Sequence, residues 1–292
     1  MNVLVSLGVA ILALSSPGAV DVKHNLAYAS GDRGHFDVYV PRRANRRAPV
    51  VVFLYGGSWQ SGNKGLYRFV GRSLASRGFI TVIPDYRVYP EVRYPTFLRD
   101  NALAVAFVQR HAADWGGDPG RLFLIGHSAG AYNAAMLALD PRWLGEVGLD
   151  PRRDLAGVVG LAGPYDFLPL RDATLKTIFG PTDQRPDTQP INHVDGHAAP
   201  MLLLAGDRDA TVDPGNSARL TAAIRAHGGS ASAHIYPGLG HVSVLTSISG
   251  LFRRRGGVLD GVTAFVGDAP ARSLAPVALG GLAPARAAEV GS

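Results

Sequence analysis

The sequence predicts an α/β fold: a mainly parallel central sheet, helices on both faces and a small insertion late in the chain. Short apolar runs rich in β-branched residues alternate with stretches of helical spacing, the pattern of a parallel sheet joined by helical crossovers. Several runs, such as Pro49–Leu54, are continuous rather than alternating, as strands buried on both faces require. A Gly-x-Ser-x-Gly motif, Gly126–Gly130, joins one such strand directly to a helix.

The elements follow in order. His35–Val40 reads as a strand closed by Pro41, and residues 42–48 as a basic turn. Pro49–Leu54 is a buried strand. Leu66–Arg77 has helical spacing and stops at Gly78, and Phe79–Ile83 is a strand ended by Pro84. Thr96–Ala113 is a long helix, with Thr96 as its N-cap after Pro95. Arg121–Ile125 is a strand, and Ser128–Leu139 a helix ended by Asp140-Pro141. Leu155–Leu161, Met201–Ala205 and Ala233–Tyr236 are further strands. Pro214–His227 is a helix closed by Gly228-Gly229. Residues 163–198, rich in Pro, Asp and Thr, interrupt the rhythm and are expected to form a small insertion or lid. Residues 21–266 make the folded domain. Residues 267–292, an aperiodic Ala-Gly-Pro stretch, are expected to be a disordered tail. No internal repeat is present.

Composition narrows the class. Of the 292 residues, 47% are hydrophobic and 18% charged, which suits a globular domain with a sizeable core. The net charge is +6, but the basic residues are scattered and almost all arginine, so nucleic acid is not an expected partner. The chain has no cysteine, which excludes disulfides, thiolate metal sites and a cysteine nucleophile. Val3–Leu14 is an apolar run followed by the small or turn-forming residues Ser15–Ala19, although no Lys or Arg precedes it. Residues 1–20 are therefore expected to be a signal peptide, and the protein to be periplasmic or secreted, with a cytoplasmic location as the alternative. No later segment is long and apolar enough for a membrane span. Oligomeric state is left open.

Four segments carry the chemistry. In Gly126-His127-Ser128-Ala129-Gly130 a sharp turn lifts Ser128 above the sheet edge, and the helix N-terminus favours negative charge developing there. Tyr55-Gly56-Gly57-Ser58-Trp59 follows a strand and exposes backbone N–H groups, those of Gly57 and Ser58, that suit an oxyanion. The N–H of Ala129, next after the nucleophile, is the other candidate donor. Gly206-Asp207-Arg208-Asp209 follows a later strand and supplies a carboxylate to orient a histidine. Gly238-Leu239-Gly240-His241 follows the last strand and supplies a general base. The order Ser128, acid, His241 favours His241 over the other histidines. His127 lies inside the elbow and is expected to point elsewhere. Trp59, Tyr165 and Phe167 are candidates both for a substrate pocket and for the core.

These segments resemble the esterase/lipase branch of the α/β-hydrolase superfamily, near the small carboxylesterases and kynurenine formamidase-like proteins. That family carries a His-Gly-Gly-x-Trp loop, to which Tyr55–Trp59 is similar, and an elbow like Gly126–Gly130. Pro84-Asp85-Tyr86-Arg87, Gly117-Asp118-Pro119 and Gly163–Asp166 also resemble family segments. The family's Gly-x-x-Asp-x-x-Val pattern matches Gly206, Asp209 and Val212, which selects Asp209 over Asp207 as the acid. One departure stands out: Tyr55 occupies the place where many relatives have histidine, a bracing position that a tyrosine hydroxyl can also serve.

The resemblance spans about residues 35–250. It implies an α/β-hydrolase fold and a serine hydrolase that cleaves carboxylic esters of small acyl substrates through a Ser128–Asp209–His241 triad. No metal or organic cofactor is expected. An amidase or formamidase, a thioesterase, and a non-catalytic binding protein on the same fold are the alternatives.

Overall fold

Strands β3 (Ala48–Leu54), β4 (Ile80–Pro84) and β6 (Gly157–Leu161) expose no residue, so both faces of each need cover. They lie inside an eight-stranded sheet with β1 (Val20–Ala27), β2 (His35–Pro41), β5 (Gly117–His127), β7 (Met201–Gly206) and β8 (Ala231–Tyr236). The computed structural model describes residues 20–42, 47–249 and 257–272. The expected signal peptide, apart from Val20, and residues 273–292 of the expected tail lie outside the described residues.

The sheet order is β1-β2-β4-β3-β5-β6-β7-β8. β1 and β2 pair antiparallel, as do β2 and β4; every other pairing is parallel. The two edges differ from the centre in burial. β1 has only three buried or half-buried positions, Val20, Val22 and Leu26, with Lys23, His24 and Asn25 interrupting them, and β8 exposes its four middle residues. Edge strands need cover on fewer sides, which is why β1 lacks the apolar run that marks the others and escapes a reading by hydrophobic pattern.

The connections are helical: α1 (Arg68–Ala75), α2 (Thr96–His111), α3 (Ala129–Leu139), the short α4 (Pro141–Gly145) and α5 (Pro151–Asp154), α6 (Ala173–Phe179), α7 (Gly215–Ala226), α8 (His241–Thr246) and α9 (Val258–Asp268). All eleven residues of α3 are buried, and its run of alanines leaves room for close packing on the sheet. One local reading is corrected and one is extended. Thr96 is the first helical residue of α2, not its cap; Pro95 holds that place and no side chain caps the turn. Asp140 does more than end α3, because its carboxylate caps α4 by accepting from Arg142 N. Residues 163–198 hold α6 and two 3₁₀ turns, Arg185–Thr188 and Pro190–His193. Among the described residues no helix is long and apolar enough to cross a membrane.

Candidate active site

Parallel strands bring their C-terminal ends to one edge of the sheet, where loops converge. Ser128 follows β5, Asp209 follows β7 and His241 follows β8, while residues 55–59 leave the end of β3. Four segments far apart in sequence therefore meet at one place.

The elbow closes by near-contact of backbones. A Cβ on Gly126 would lie 2.2 Å from the Gly130 carbonyl oxygen, and one on Gly130 would lie 2.0 Å from that of Leu54. Only glycine fits either position. Ser128 itself has φ 55° and ψ −122°, a conformation that costs a non-glycine residue on the order of 1–3 kcal/mol. Its N–H donates to Leu161 O at 2.9 Å, and its carbonyl accepts from Ala131 and Tyr132 as α3 begins. These bonds and close packing hold the strained turn.

Ser128 Oγ lies 2.9 Å from His241 Nε2, and His241 Nδ1 lies 2.8 Å from Asp209 Oδ2. The Asp209 side chain is fully buried. Its Oδ1 accepts from Thr211 N and Val212 N, both at 2.9 Å, which leaves Oδ2 for the histidine. Asp207 does different work: its Oδ1 accepts from Gly238 N at 2.7 Å and ties down the loop leading to His241. Of the two aspartates, Asp209 is thus the one against the imidazole, where the residue pattern placed it.

Ser58 and Ala129 line the same cavity as Ser128; Gly57 is not among its lining residues. Ala129 opens α3, so its N–H has no carbonyl one turn back within the helix. Gly57, Ser58 and Trp59 all have positive φ, at 138°, 54° and 57°, which turns the loop sharply beside the elbow. Tyr55 braces it from beneath. The Tyr55 hydroxyl donates to Asp85 Oδ1 at 3.1 Å and accepts from Tyr86 N at 3.2 Å. The Tyr86 hydroxyl donates to Tyr55 O at 2.6 Å, and the two rings stack 4.5 Å apart. Lys64 Nζ in turn holds Asp85 Oδ2 at 3.0 Å. Burial pushes the Tyr55 hydroxyl well above its ordinary pKa, so it stays protonated and keeps its donor.

The cavity holds about 710 Å³. Trp59, Phe167, Leu168 and Leu175 give it an apolar wall, and Arg219 with Asp166 and Asp213 a charged one. Arg219 donates to Asp166 Oδ2 at 2.6 Å and to Asp213 Oδ2 at 3.0 Å. Trp59 is fixed by donation from its Nε1 to Asn133 Oδ1 at 3.0 Å. Tyr165 belongs to the core instead: it is fully buried, and its hydroxyl lies where a Cβ on Gly160 or Gly163 would be. Among the described residues no group of three His, Asp or Glu side chains is placed to hold a metal ion.

His127 does not point away from the site as expected. Its Nε2 lies 3.0 Å from the backbone oxygen of His241, and the two rings are 4.9 Å apart. Its neighbour in the chain, Ser128, signals the elbow but not this contact, which depends on where the β8 loop returns.

Over residues 36–224 the chain matches the BD-FAE family. It is 29% identical over 243 residues to the isoprenylcysteine alpha-carbonyl methylesterase ICME of Arabidopsis thaliana, a match covering 76% of this chain and 57% of that protein. It is 30% identical over 212 residues to the esterase LipC of Mycobacterium tuberculosis, covering 66% and 53%. The chain thus spans about half the length of these curated relatives. Among solved structures, a truncated carbohydrate esterase from gut microbiota superposes with a TM-score of 0.75 at 21% identity, over 86% of this chain and 96% of that one. Esterase B from Lactobacillus rhamnosis gives 0.74 at 19% identity, over 90% and 92%. Such distant structures show the fold. With the matched family spanning most of the sheet and both Gly-rich loops, the chain belongs to the BD-FAE family, in the esterase/lipase branch of the α/β-hydrolase fold.

Proposed function

We propose that this protein is a serine hydrolase that cleaves carboxylic esters of small acyl substrates through a covalent acyl-enzyme. The observation that carries the proposal is the unbroken chain Ser128 Oγ–His241 Nε2, His241 Nδ1–Asp209 Oδ2, at 2.9 and 2.8 Å, with Ser128 opening onto the cavity. The esterases named among its relatives support the same reading.

His241 takes the proton from Ser128 Oγ as the oxygen attacks the ester carbonyl. Asp209 fixes the tautomer with the proton on Nδ1 and stabilises the imidazolium that forms. The developing oxyanion is met by the N–H groups of Ala129 and Ser58, with Gly57 as the third candidate donor. One such donor contributes about 10²–10³ in rate. The imidazolium then protonates the departing alkoxide, which leaves as the alcohol. Water, deprotonated by His241, attacks the acyl-Ser128 ester; collapse releases the carboxylic acid and returns the proton to Ser128.

Turnover of a panel of p-nitrophenyl esters by the wild type and by Ser128→Ala tests this. The wild type is expected to hydrolyse short acyl esters, and the variant to lose nearly all turnover while keeping its fold. Competition with the matching anilide and thioester separates ester from amide or thioester preference; kynurenine formamidase of Salmo salar, 31% identical over 146 residues, is among the relatives. A folded wild type inert to all three classes overturns the proposal and leaves a binding role.

A further inference from the structure

The catalytic pair proposed above sits on two loops that leave different strands, β5 and β8. Hydrogen-bond distance between Ser128 and His241 requires the backbone of one to be held against the backbone of the other. The β8 loop is steadied from its own side: Arg208 N donates to Leu239 O at 2.9 Å, and Ser243 Oγ accepts from Gly240 N at 2.6 Å. Neither bond reaches the elbow.

We infer that His127 is a positioning residue for the catalytic base, holding the first turn of α8 against the nucleophile elbow through a hydrogen bond from its Nε2–H to the backbone carbonyl of His241. The inference rests on the hydrolase reading. A carbonyl oxygen can only accept, so the 3.0 Å contact places a proton on His127 Nε2 and leaves the lone pair on Nδ1. That Nδ1 is buried and has no partner among the described residues, facing Gly56, where an added Cβ would come within 3.1 Å of it. Protonation of Nδ1 would bury an unpaired N–H donor and a charge, so the ring is held neutral.

The ionisable groups around His127 are His241 and Asp209, and burial is the main force keeping its pKa down, to about 3. A permanently neutral imidazole can lie 4.9 Å from His241 without opposing the imidazolium that forms there in each cycle. One residue thereby joins the turn that carries Ser128 to the backbone of the base. Being next to Ser128 in the chain, it transmits any shift of the elbow to the base.

The test compares His127→Gln, whose side-chain amide nitrogen can stand in for Nε2, with His127→Leu, which has no donor. Steady-state kinetics on a p-nitrophenyl ester and thermal unfolding are measured for both. A displacement of the base by about 1 Å is enough for a rate loss on the order of 10²-fold. His127→Leu is therefore expected to lower kcat by about 10- to 100-fold with KM within about twofold of wild type. His127→Gln is expected to recover at least about tenfold of that loss. If His127→Leu does not fold, His127→Asn, too short to reach the carbonyl, takes its place. A donor-less variant with wild-type kcat, or equal losses in the donor-less variant and His127→Gln, overturns the inference while the hydrolase reading stands. A wild type with no ester turnover overturns that reading and this inference together.

Discussion

The strand-end region that holds Ser128 and the insertion at residues 163–198 border the same cavity, yet they are built differently. Around Ser128 the backbone itself is packed: glycines at 126 and 130 stand where any side chain would strike a main-chain oxygen within about 2.2 Å. The insertion is tied to the body mostly by side chains. Tyr132 donates its hydroxyl to Thr188 O at 2.7 Å, and Asn216 Oδ1 accepts from Tyr165 N and Asp166 N at 2.8 and 2.7 Å; within the insertion, Gln189 Oε1 accepts from Phe167 N at 2.8 Å. Phe179 packs edge-on to Trp59, with centroids 4.8 Å apart. Main-chain packing tolerates almost no substitution, whereas side-chain ties can be exchanged one at a time. On the proposed function, the difference separates the part assigned to chemistry from the part assigned to the substrate space.

Substituting glycines in the two regions breaks the comparison most directly. Gly130→Val is expected to yield no folded protein, because its Cβ alone would overlap Leu54 O. Gly180→Ala in the insertion meets nothing within 4 Å and carries only the backbone strain of φ 75° and ψ −159°, a cost of about 1–3 kcal/mol. Soluble yield and thermal unfolding distinguish them; equal tolerance of both would remove the contrast.

Within the strand-end region, Asp209→Asn keeps the shape but allows the wrong tautomer of His241. It is expected to lower kcat by about 10⁴-fold with little change in unfolding temperature. A loss under tenfold would show that Asp209 does not orient the base.

Next in size is a pH effect on stability. Burial holds His127 neutral in the folded protein down to about pH 3, against an ordinary value of 6.5. Between these limits the unfolded chain binds a proton that the folded chain does not, so stability falls as pH falls. The contribution is about 1.4 kcal/mol for each pH unit below 6.5. Urea unfolding at pH 7 and pH 5 should show a steeper loss for wild type than for His127→Gln; parallel losses would mean that His127 titrates normally in the fold.

The smallest effect on turnover belongs to the insertion. Gln189→Leu frees Phe167 N and is expected to cost about 1–3 kcal/mol, and to raise KM a few-fold with kcat nearly unchanged. A kcat loss rivalling that of Asp209→Asn would place the insertion in the catalytic machinery.

The same division sets what the sequence could disclose. The buried central strands, the elbow and the order Ser128, Asp209, His241 were legible because local patterns impose them: continuous apolar runs, glycines at fixed spacing, a strand running straight into a helix. The choice of Asp209 over Asp207 came from the resemblance of Gly206, Asp209 and Val212 to the family's pattern, and Val212 N donates to the Asp209 carboxylate in the structure. Edge strand β1 was not legible, since Lys23, His24 and Asn25 interrupt its pattern at an exposed edge. Nor were the ties of the insertion to the body or the contact of His127 with His241, which join residues 50 or more positions apart. The core place of Tyr165 was equally hidden, because an aromatic beside a predicted lid reads alike whether it faces a pocket or the sheet.

The central claim is that Ser128 is an activated nucleophile. Labelling with a fluorophosphonate probe, followed by intact-mass and peptide mass spectrometry, tests it without knowledge of the substrate. Wild type is expected to gain one covalent adduct, on the peptide that contains Ser128, and Ser128→Ala none. A folded wild type that stays unlabelled, or a Ser128→Ala variant that labels equally well, would contradict the account.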